Sequence, residues 1–275
     1  MGKLDGKVAF ITGAARGQGR SHAVRLAEEG ADIIALDVCR QIDTVEYATA
    51  NSADLAETVR LVEKTGRRII AAEADIRDYD AVKQVVDAGV AEFGRLDIVL
   101  ANAGISTMAP TLEMSEEVWT TMIDINLTGQ WRTVKAAVPH IVAGGRGGSV
   151  VLVSSLAAMA TNENMAHYSA AKTGLIGLMR VLAKELAPHS IRVNTVHPTT
   201  VATDMILNDV TYKLFRPDLP NPTRADFEQA ALTLNALPVP ALESIDISNA
   251  ILYLVSDDGR YVTATRHVVD AGGQL

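Results

Sequence analysis

Cysteine is almost missing: Cys39 is the only one in 275 residues. A lone cysteine cannot close an intramolecular disulfide, so the fold must be held by its core, and a reducing, cytoplasmic setting is expected. No run of about 18 apolar residues occurs, which excludes a membrane-spanning helix. The opening Met1-Gly2-Lys3-Leu4-Asp5-Gly6-Lys7 has no apolar signal region. Positive charge is in deficit, with 25 Lys+Arg against 33 Asp+Glu and a net charge of −8. That balance argues against a nucleic-acid partner, whose footprint is basic. The six histidines, at 22, 140, 167, 189, 197 and 267, show no paired metal-ligand spacing, so no metal is expected. Linkers, tandem repeats and low-complexity tracts are also missing. What is present is a 48% hydrophobic chain, enough for a packed core and incompatible with global disorder. Its length suits a single domain, 1–275.

Short β-branched apolar runs alternate with longer helical stretches. Strands are expected at Lys7–Thr12, Asp32–Asp37, Arg68–Ala74, Asp97–Ala101, Ser149–Ser154, Arg192–His197 and His267–Val269. Most lack polar alternation, as strands covered on both faces do. Helices are expected at Gly19–Glu29, Ala53–Lys64, Tyr79–Phe93, Glu116–Val142, Ala166–Leu186 and Ile247–Val255. Repeated strand–helix alternation implies right-handed crossovers. The fold class is therefore α/β: a doubly wound Rossmann fold, with a parallel sheet of about seven strands flanked by helices on both faces. Two stretches exceed ordinary loop length. About a dozen extra residues, Cys39–Asn51, follow the second strand. A longer stretch, Thr199–Leu242, combines five prolines with apolar residues such as Met205, Ile206, Leu207 and Phe227, and reads as a partly helical flap.

The first strand runs into Thr12-Gly13-Ala14-Ala15-Arg16-Gly17-Gln18-Gly19. Glycine permits positive φ and close approach of backbone to a phosphate. The helix that follows aims its N-terminal N–H groups and positive dipole end at that phosphate. A dinucleotide pyrophosphate fits such a loop, although the spacing is G-x-x-x-G-x-G rather than G-x-G-x-x-G. Asp37 closes the second strand, where a carboxylate can accept from both ribose hydroxyls and repel a 2′-phosphate, favouring NAD. Arg16 and Arg40 pull the other way, since either could pair with a 2′-phosphate. Asp75, in Ala74-Asp75-Ile76, could reach an adenine amino group or merely cap the next helix. Asn102-Ala103-Gly104 ends the fourth strand with small residues against which a cofactor can lie, and the Asn102 amide can tie neighbouring strands together.

Ser155 ends the fifth strand, Tyr168 lies thirteen residues on, and Lys172 four beyond that. Positions i and i+4 share a helix face. A free tyrosine, with a pKa near ~10, is a poor base at neutral pH. A neighbouring lysine and a cationic nicotinamide would favour phenolate and lower that value. Tyr168 can then exchange a proton with a substrate oxygen, and Ser155 can hydrogen-bond the same oxygen. Asn126, in Asp124-Ile125-Asn126-Leu127-Thr128-Gly129, sits in an apolar helix and would need a task such as binding a water that relays protons to Lys172. Asn126-Leu127-Thr128 also reads as a glycosylation acceptor, which the missing signal peptide and the helical setting discount. His167 points roughly 100° away from Tyr168 on the helix and is discounted as the base. Cys39 reads as a small apolar residue beside the ribose site rather than a nucleophile. Met108, Met159, Met165 and Met205 are either pocket lining or core filler.

This constellation resembles the short-chain dehydrogenase/reductase family over essentially the whole chain. The carriers are T-G-x-x-x-G-x-G at Thr12–Gly19, Asn102-Ala103-Gly104, Asn126, Ser155 and Tyr168 with Lys172. The resemblance implies a catalytic tetrad of Asn126, Ser155, Tyr168 and Lys172. It implies NAD binding by Gly13, Arg16, Gly17, Gln18, Gly19, Asp37, Val38, Asp75, Ile76, Asn102, Ala103, Gly104, Tyr168 and Lys172. Val201 and Thr203 match positions that hold the nicotinamide carboxamide, although the family's usual Pro-Gly is Pro198-Thr199 here. The chain looks similar to the carveol dehydrogenase-like, mycofactocin-associated branch. The strings Gly13–His22, Asp37-Val38-Cys39-Arg40, His167–Lys172 and Asn194–Thr199 carry that likeness, as does the extra segment 39–51. The branch implies poorly exchanging NAD, an external redox partner and a homotetramer. The expected reaction interconverts an apolar secondary alcohol and its ketone, terpenoid, alicyclic or steroid-like. Two rivals are a 3-oxoacyl thioester reductase, which would favour NADP and basic residues, and a non-catalytic NAD-binding sensor or scaffold, which would not need all four tetrad residues.

Overall fold

The computed structural model describes residues 2–160 and 162–275. In chain order it runs β1 (Val8–Thr12), α1 (Gly17–Glu28), β2 (Asp32–Asp37), α2 (Ser52–Lys64), β3 (Ile69–Glu73), α3 (Tyr79–Phe93), β4 (Ile98–Ala101), α4 (Glu116–Ile123), α5 (Gln130–Gly144), β5 (Gly148–Val153), α6 (Ala166–Leu186), β6 (Ile191–Pro198), α7 (Asp209–Phe215), α8 (Arg224–Ala231), α9 (Ser244–Val255) and β7 (Arg266–Val269). All strand pairs are parallel, in the order β3-β2-β1-β4-β5-β6-β7. The chain leaves β1 towards β2 and β3, then crosses back to β4. The C-terminal ends of β1 and β4 therefore open a crevice at the switch point, where ligands bind in open α/β sheets.

The unbroken apolar runs of the strands follow from cover on both faces. Phe10, Ile34, Val99 and Val150 point into one core, beneath α3, α5 and α6, whereas Ile11, Ile33, Leu100 and Val151 point into the other, beneath α1 and α9. Each fully covered side chain of this size contributes roughly 1.5–3 kcal/mol. The expected strands all form, and so do the expected helices other than 116–142, with end shifts of a few residues.

One expectation needs correction. The stretch 116–142 reads as a single α-helix, but a π-helical segment, Asp124–Gly129, separates α4 from α5. The cause is local. Asn126 turns inward to the Ile105 peptide, and a Cβ on Gly129 would lie 2.6 Å from Ile76 and 3.0 Å from the Asp124 carbonyl. The wider turn seats both, and such bulges recur at functional sites. The helix then runs on to Gly144, where Gly145 takes the left-handed cap at φ 64°.

Both surplus stretches fold onto the crevice side. Segment 39–51 wraps around the Gln41 side chain. Its amide donates to the carbonyls of Val45 (2.8 Å) and Tyr47 (3.2 Å), and its oxygen accepts from Thr49 N–H. Ile42 and Val45 are buried in the main core. The flap contains α7 and α8, and forms a small core of its own in which Phe227, fully buried, meets Phe215 edge-on at 4.9 Å and Tyr212 at 5.7 Å. Among the described residues, no helix is long and apolar enough to cross a membrane.

Candidate active site

The crevice is lined by Gly13, Arg16, Gly17, Gln18, Gly19, Asp37, Val38, Asp75, Ile76, Asn102, Ala103, Gly104 and Thr203, all expected from the sequence. The glycines are needed for two different reasons. Gly13 and Gly17 adopt φ of 67° and 54°, which favours glycine. Gly19 has an ordinary φ, but a Cβ there would sit 1.9 Å from the Gly13 carbonyl oxygen. The loop is fastened to β4 by Asn102, whose amide donates to the carbonyls of Thr12 (2.9 Å) and Gly13 (3.2 Å). The expected tie between neighbouring strands is therefore present.

Helix α1 begins at this loop without a side-chain cap, and its first turn holds no acidic residue. By contrast, α2, α3 and α8 are capped by Asn51, Asp78 and Thr223. The free N–H groups of α1 are suited to an anion. Gln18 adds a buried Oε1 with no partner. An uncapped helix end, a cradle that a Cβ would fill and an orphaned polar atom together fit a dinucleotide pyrophosphate.

Asp37 lies at the end of β2, 7% exposed. Its carboxylate accepts from Ala15 N–H (2.9 Å) and Cys39 N–H (3.2 Å). Burial raises its pKa, and these N–H groups and the Arg16 charge oppose the rise. Arg16 is engaged elsewhere, pairing with Asp204 of the flap (3.2 Å) and donating to the Ala48 carbonyl. Arg40 pairs with Asp75 at 2.8 Å, and Arg77 holds the same carboxylate at 2.7 Å. Both arginines that might have met a 2′-phosphate therefore have carboxylate partners. Asp75 is held chiefly by these guanidiniums, and the cap of α3 is Asp78 instead. Burial and the nearby Asp37 push the Cys39 thiol up to about 12, which disfavours the thiolate.

Sequence reasoning marked segment 39–51 but named none of the lining residues it supplies: Ile42, Tyr47, Thr49 and Ala50. Tyr47 is tied across the crevice, its hydroxyl accepting from Ser106 N–H at 3.3 Å. Asp204 and Met205, from the flap, also line the wall. Val201 does not. It is buried in a bridge to Leu242, because the chain turns after β6 before Thr203 comes to the surface of the crevice. Of the four methionines considered, Met205 lines the crevice, Met165 is buried core, Met159 packs on the core and Met108 is 43% exposed.

The catalytic candidates meet beyond Gly104. A Cβ on Gly104 would lie 3.0 Å from Asn126 Oδ1 and 3.3 Å from Lys172 Nζ. This glycine therefore joins the dinucleotide crevice to the polar cluster. Lys172, 3% exposed, donates to the Val153 carbonyl at 2.9 Å, and its ammonium stands 5.6 Å from the centre of the Tyr168 ring. Burial pushes it down to about 7. The neighbouring Ser155 hydroxyl draws the Tyr168 pKa down, but burial of the phenol prevails and raises it. The sequence expectation that Lys172 lowers the phenol is thus corrected for the side chains alone: a buried amine that sheds its proton near neutrality is a weak source of charge. The neighbouring Ser154 is engaged elsewhere, donating to the Lys172 carbonyl of α6.

Asn126 is fully buried, and its carboxamide brackets the backbone of one residue: Oδ1 accepts from Ile105 N–H (2.8 Å) and Nδ2 donates to the Ile105 carbonyl (2.7 Å), with Met122 Sδ at 2.9 Å from the same nitrogen. One lone pair on Oδ1 is left for the relay expected of it. His167 is directed away from the cluster, with Nε2 2.9 Å from Thr107 Oγ1. Among the described residues, no group of histidine, cysteine or carboxylate side chains is placed to hold a metal.

Residues 7–211 match the short chain dehydrogenase family. The chain is 54% identical to (−)-trans-carveol dehydrogenase of Rhodococcus erythropolis over the whole of both chains. The crystal structure of carveol dehydrogenase from Mycobacterium avium in complex with NAD superimposes with a TM-score of 0.98 at 55% identity, covering 99% of each chain. A short-chain dehydrogenase from Mycobacterium paratuberculosis bound to NAD has a TM-score of 0.91 at 47% identity, again over 99% of each.

Proposed function

The chain belongs to the short-chain dehydrogenase family, and on that premise we propose that it interconverts an apolar, alicyclic secondary alcohol and its ketone with NAD. The observation that carries this is the junction at Gly104. One backbone position on the dinucleotide crevice touches Asn126 and Lys172, and the same helix presents Tyr168 to Ser155. When bound, NAD supplies a hydride acceptor and a positively charged ring.

The chain's own residues divide the remaining work. Gly13, Gly17, Gln18 and Gly19 offer backbone and amide to the pyrophosphate. Asp37 keeps a negative charge where a 2′-phosphate would otherwise lie, so NADP is disfavoured. Tyr168 accepts the hydroxyl proton of the alcohol, or returns it to the ketone. Ser155 donates to the same substrate oxygen as charge develops on it. Lys172 contributes positive charge beside the phenol when protonated, and a value of about 7 makes it able to pass a proton onwards at neutral pH. Asn126 fixes the Ile105 peptide and the π segment that frame this wall.

The substrate class rests on the relative that acts on carveol and on the apolar flap residues Met205, Ile206 and Leu207. Segment 39–51 is read as a strap over the dinucleotide, from its lining residues and its two ties across the crevice, Arg40 to Asp75 and Tyr47 to Ser106. A strapped dinucleotide exchanges slowly, which suits an external redox partner. A cytoplasmic homotetramer is the assembly in view, with exposed Trp119, Trp131 and Val181 on α4, α5 and α6 as its contact residues. Absorbance at about 340 nm, followed with a panel of cyclic secondary alcohols, tests the reaction. Mass spectrometry of protein purified without added NAD tests the strap. No reduction of either bound or added NAD by any alcohol would overturn the first reading, and a dinucleotide-free protein that turns over freely would overturn the second.

A further inference from the structure

His197 is a fully buried imidazole near the end of β6, outside the expected tetrad. Its Nδ1 lies 3.0 Å from the Ser155 carbonyl oxygen, and its Nε2 lies 2.8 Å from Thr195 Oγ1. A carbonyl can only accept, so Nδ1 carries the proton; in the neutral ring Nε2 then accepts from the Thr195 hydroxyl at 2.8 Å, a shorter contact than that hydroxyl's alternative to the Thr265 carbonyl at 3.4 Å. Burial, with the charges of Arg266 and Lys172, keeps the ring neutral by lowering its pKa. Both ring nitrogens are therefore satisfied in one tautomer only.

The position of this contact gives it meaning. Strands β5 and β6 pair up to Val153 and Val196, and Ser154 N–H still reaches the Val196 carbonyl at 2.9 Å. At Ser155 the chain leaves the ladder and enters a 3₁₀ turn, Leu156–Ala158. The Ser155 hydroxyl accepts from Ala157 N–H (3.1 Å), which leaves its own proton to donate. Its carbonyl is held by Ala158 N–H and by His197. The imidazole thus takes over where the backbone ladder stops.

We propose that His197 is a positioning residue: its Nδ1–H anchors the Ser155 carbonyl, and so fixes the direction in which the Ser155 hydroxyl meets the substrate oxygen. The inference rests on the reading of Ser155 given above. An asparagine places its amide nitrogen near the imidazole Nδ1 and keeps the donor, whereas a glutamine reaches the Nε2 position and does not. His197→Asn should therefore stay within about threefold of the parent kcat, and His197→Gln should lose about tenfold or more in kcat, as small misplacements at a reacting centre do. KM and NAD content should be unchanged in both. In a Ser155→Ala background the Asn and Gln variants should be equally slow, because the group being aimed is gone. Melting curves for every variant separate loss of aim from loss of fold. Equal kcat for the Asn and Gln variants, or an undiminished difference between them when Ser155 is absent, would overturn the role of His197. A Ser155→Ala enzyme as fast as the parent would instead overturn the reading of Ser155 itself.

Discussion

The two ends of the crevice are made of opposite materials. At the dinucleotide end the working surface is backbone: three glycines, an uncapped helix and the N–H groups around Asp37. At the catalytic end it is buried side chains, namely Asn126, Lys172 and His197, each held by a carbonyl or peptide of another element. Backbone sites are spoiled by adding atoms, because there is no room for a Cβ. Side-chain sites are spoiled by removing polar atoms, because the partner left behind is buried and unpaired. The two ends should therefore fail in different ways.

The largest effect belongs to Tyr168→Phe, which removes one oxygen and leaves the crevice untouched. A general acid–base group contributes about 10²–10⁴-fold, so kcat should fall by that order while NAD content, read by mass spectrometry, stays constant. Loss of NAD together with turnover would blur the division between the two ends. Gly19→Ala is the converse. Its methyl group would meet the Gly13 carbonyl at 1.9 Å, and strain of this kind costs roughly 1–3 kcal/mol. NAD content and melting temperature should drop, while kcat for the NAD-loaded fraction holds.

Lys172→Met sharpens the comparison through pH. The amine is held at about 7 by burial, against an ordinary 10.5. Below pH 7 both folded and unfolded chains carry the charge, and the burial penalty is full. Between these values only the unfolded chain holds the proton, so the wild type gains stability as pH rises. The variant, which has no charge to bury, should therefore compare best with the wild type in melting temperature near pH 6, and the difference should shift in the wild type's favour towards pH 10. A difference independent of pH would show that burial of charge is not what sets this lysine apart. The smallest effect is expected for Arg40→Ala. Its pair with Asp75 is solvated on the arginine side, at 64% exposure, and such pairs are worth about 0.2–1 kcal/mol. NAD release, followed by fluorescence, should quicken by no more than about fivefold. A far larger change would make the Arg40–Asp75 tie the main fastening of the strap.

The same contrast explains what could be read from the chain before folding. The glycine loop, Asp37 and Asn102-Ala103-Gly104 were legible because backbone sites need particular residues at fixed local spacing. Tyr168 and Lys172 were legible for a similar reason, four residues apart on one helix face. Ser155 rather than Ser154 stands beside Tyr168, because successive residues alternate across a strand end. The partners across elements were not legible. Asn126 reaches Ile105 from 21 residues away and His197 reaches Ser155 from 42, and no local period marks such pairs. The π segment escaped notice because its cause is that same tertiary contact, while its apolar stripe reads as an ordinary helix. Tyr47 escaped because an irregular segment has no periodicity from which to infer a facing side.

The central claim is that Tyr168, Ser155 and Lys172 serve hydride transfer between a secondary alcohol and NAD in this crevice. The most direct measurement incubates the purified protein, loaded with NAD, with a cyclic secondary alcohol deuterated at the carbinol carbon. The dinucleotide is then released and weighed by mass spectrometry. The measurement works whether or not the dinucleotide exchanges. Reduced dinucleotide carrying one deuterium in the wild type, and none in Tyr168→Phe, is the predicted result. No transfer of deuterium across an alicyclic panel, or equal transfer in the Tyr168→Phe variant, would contradict it.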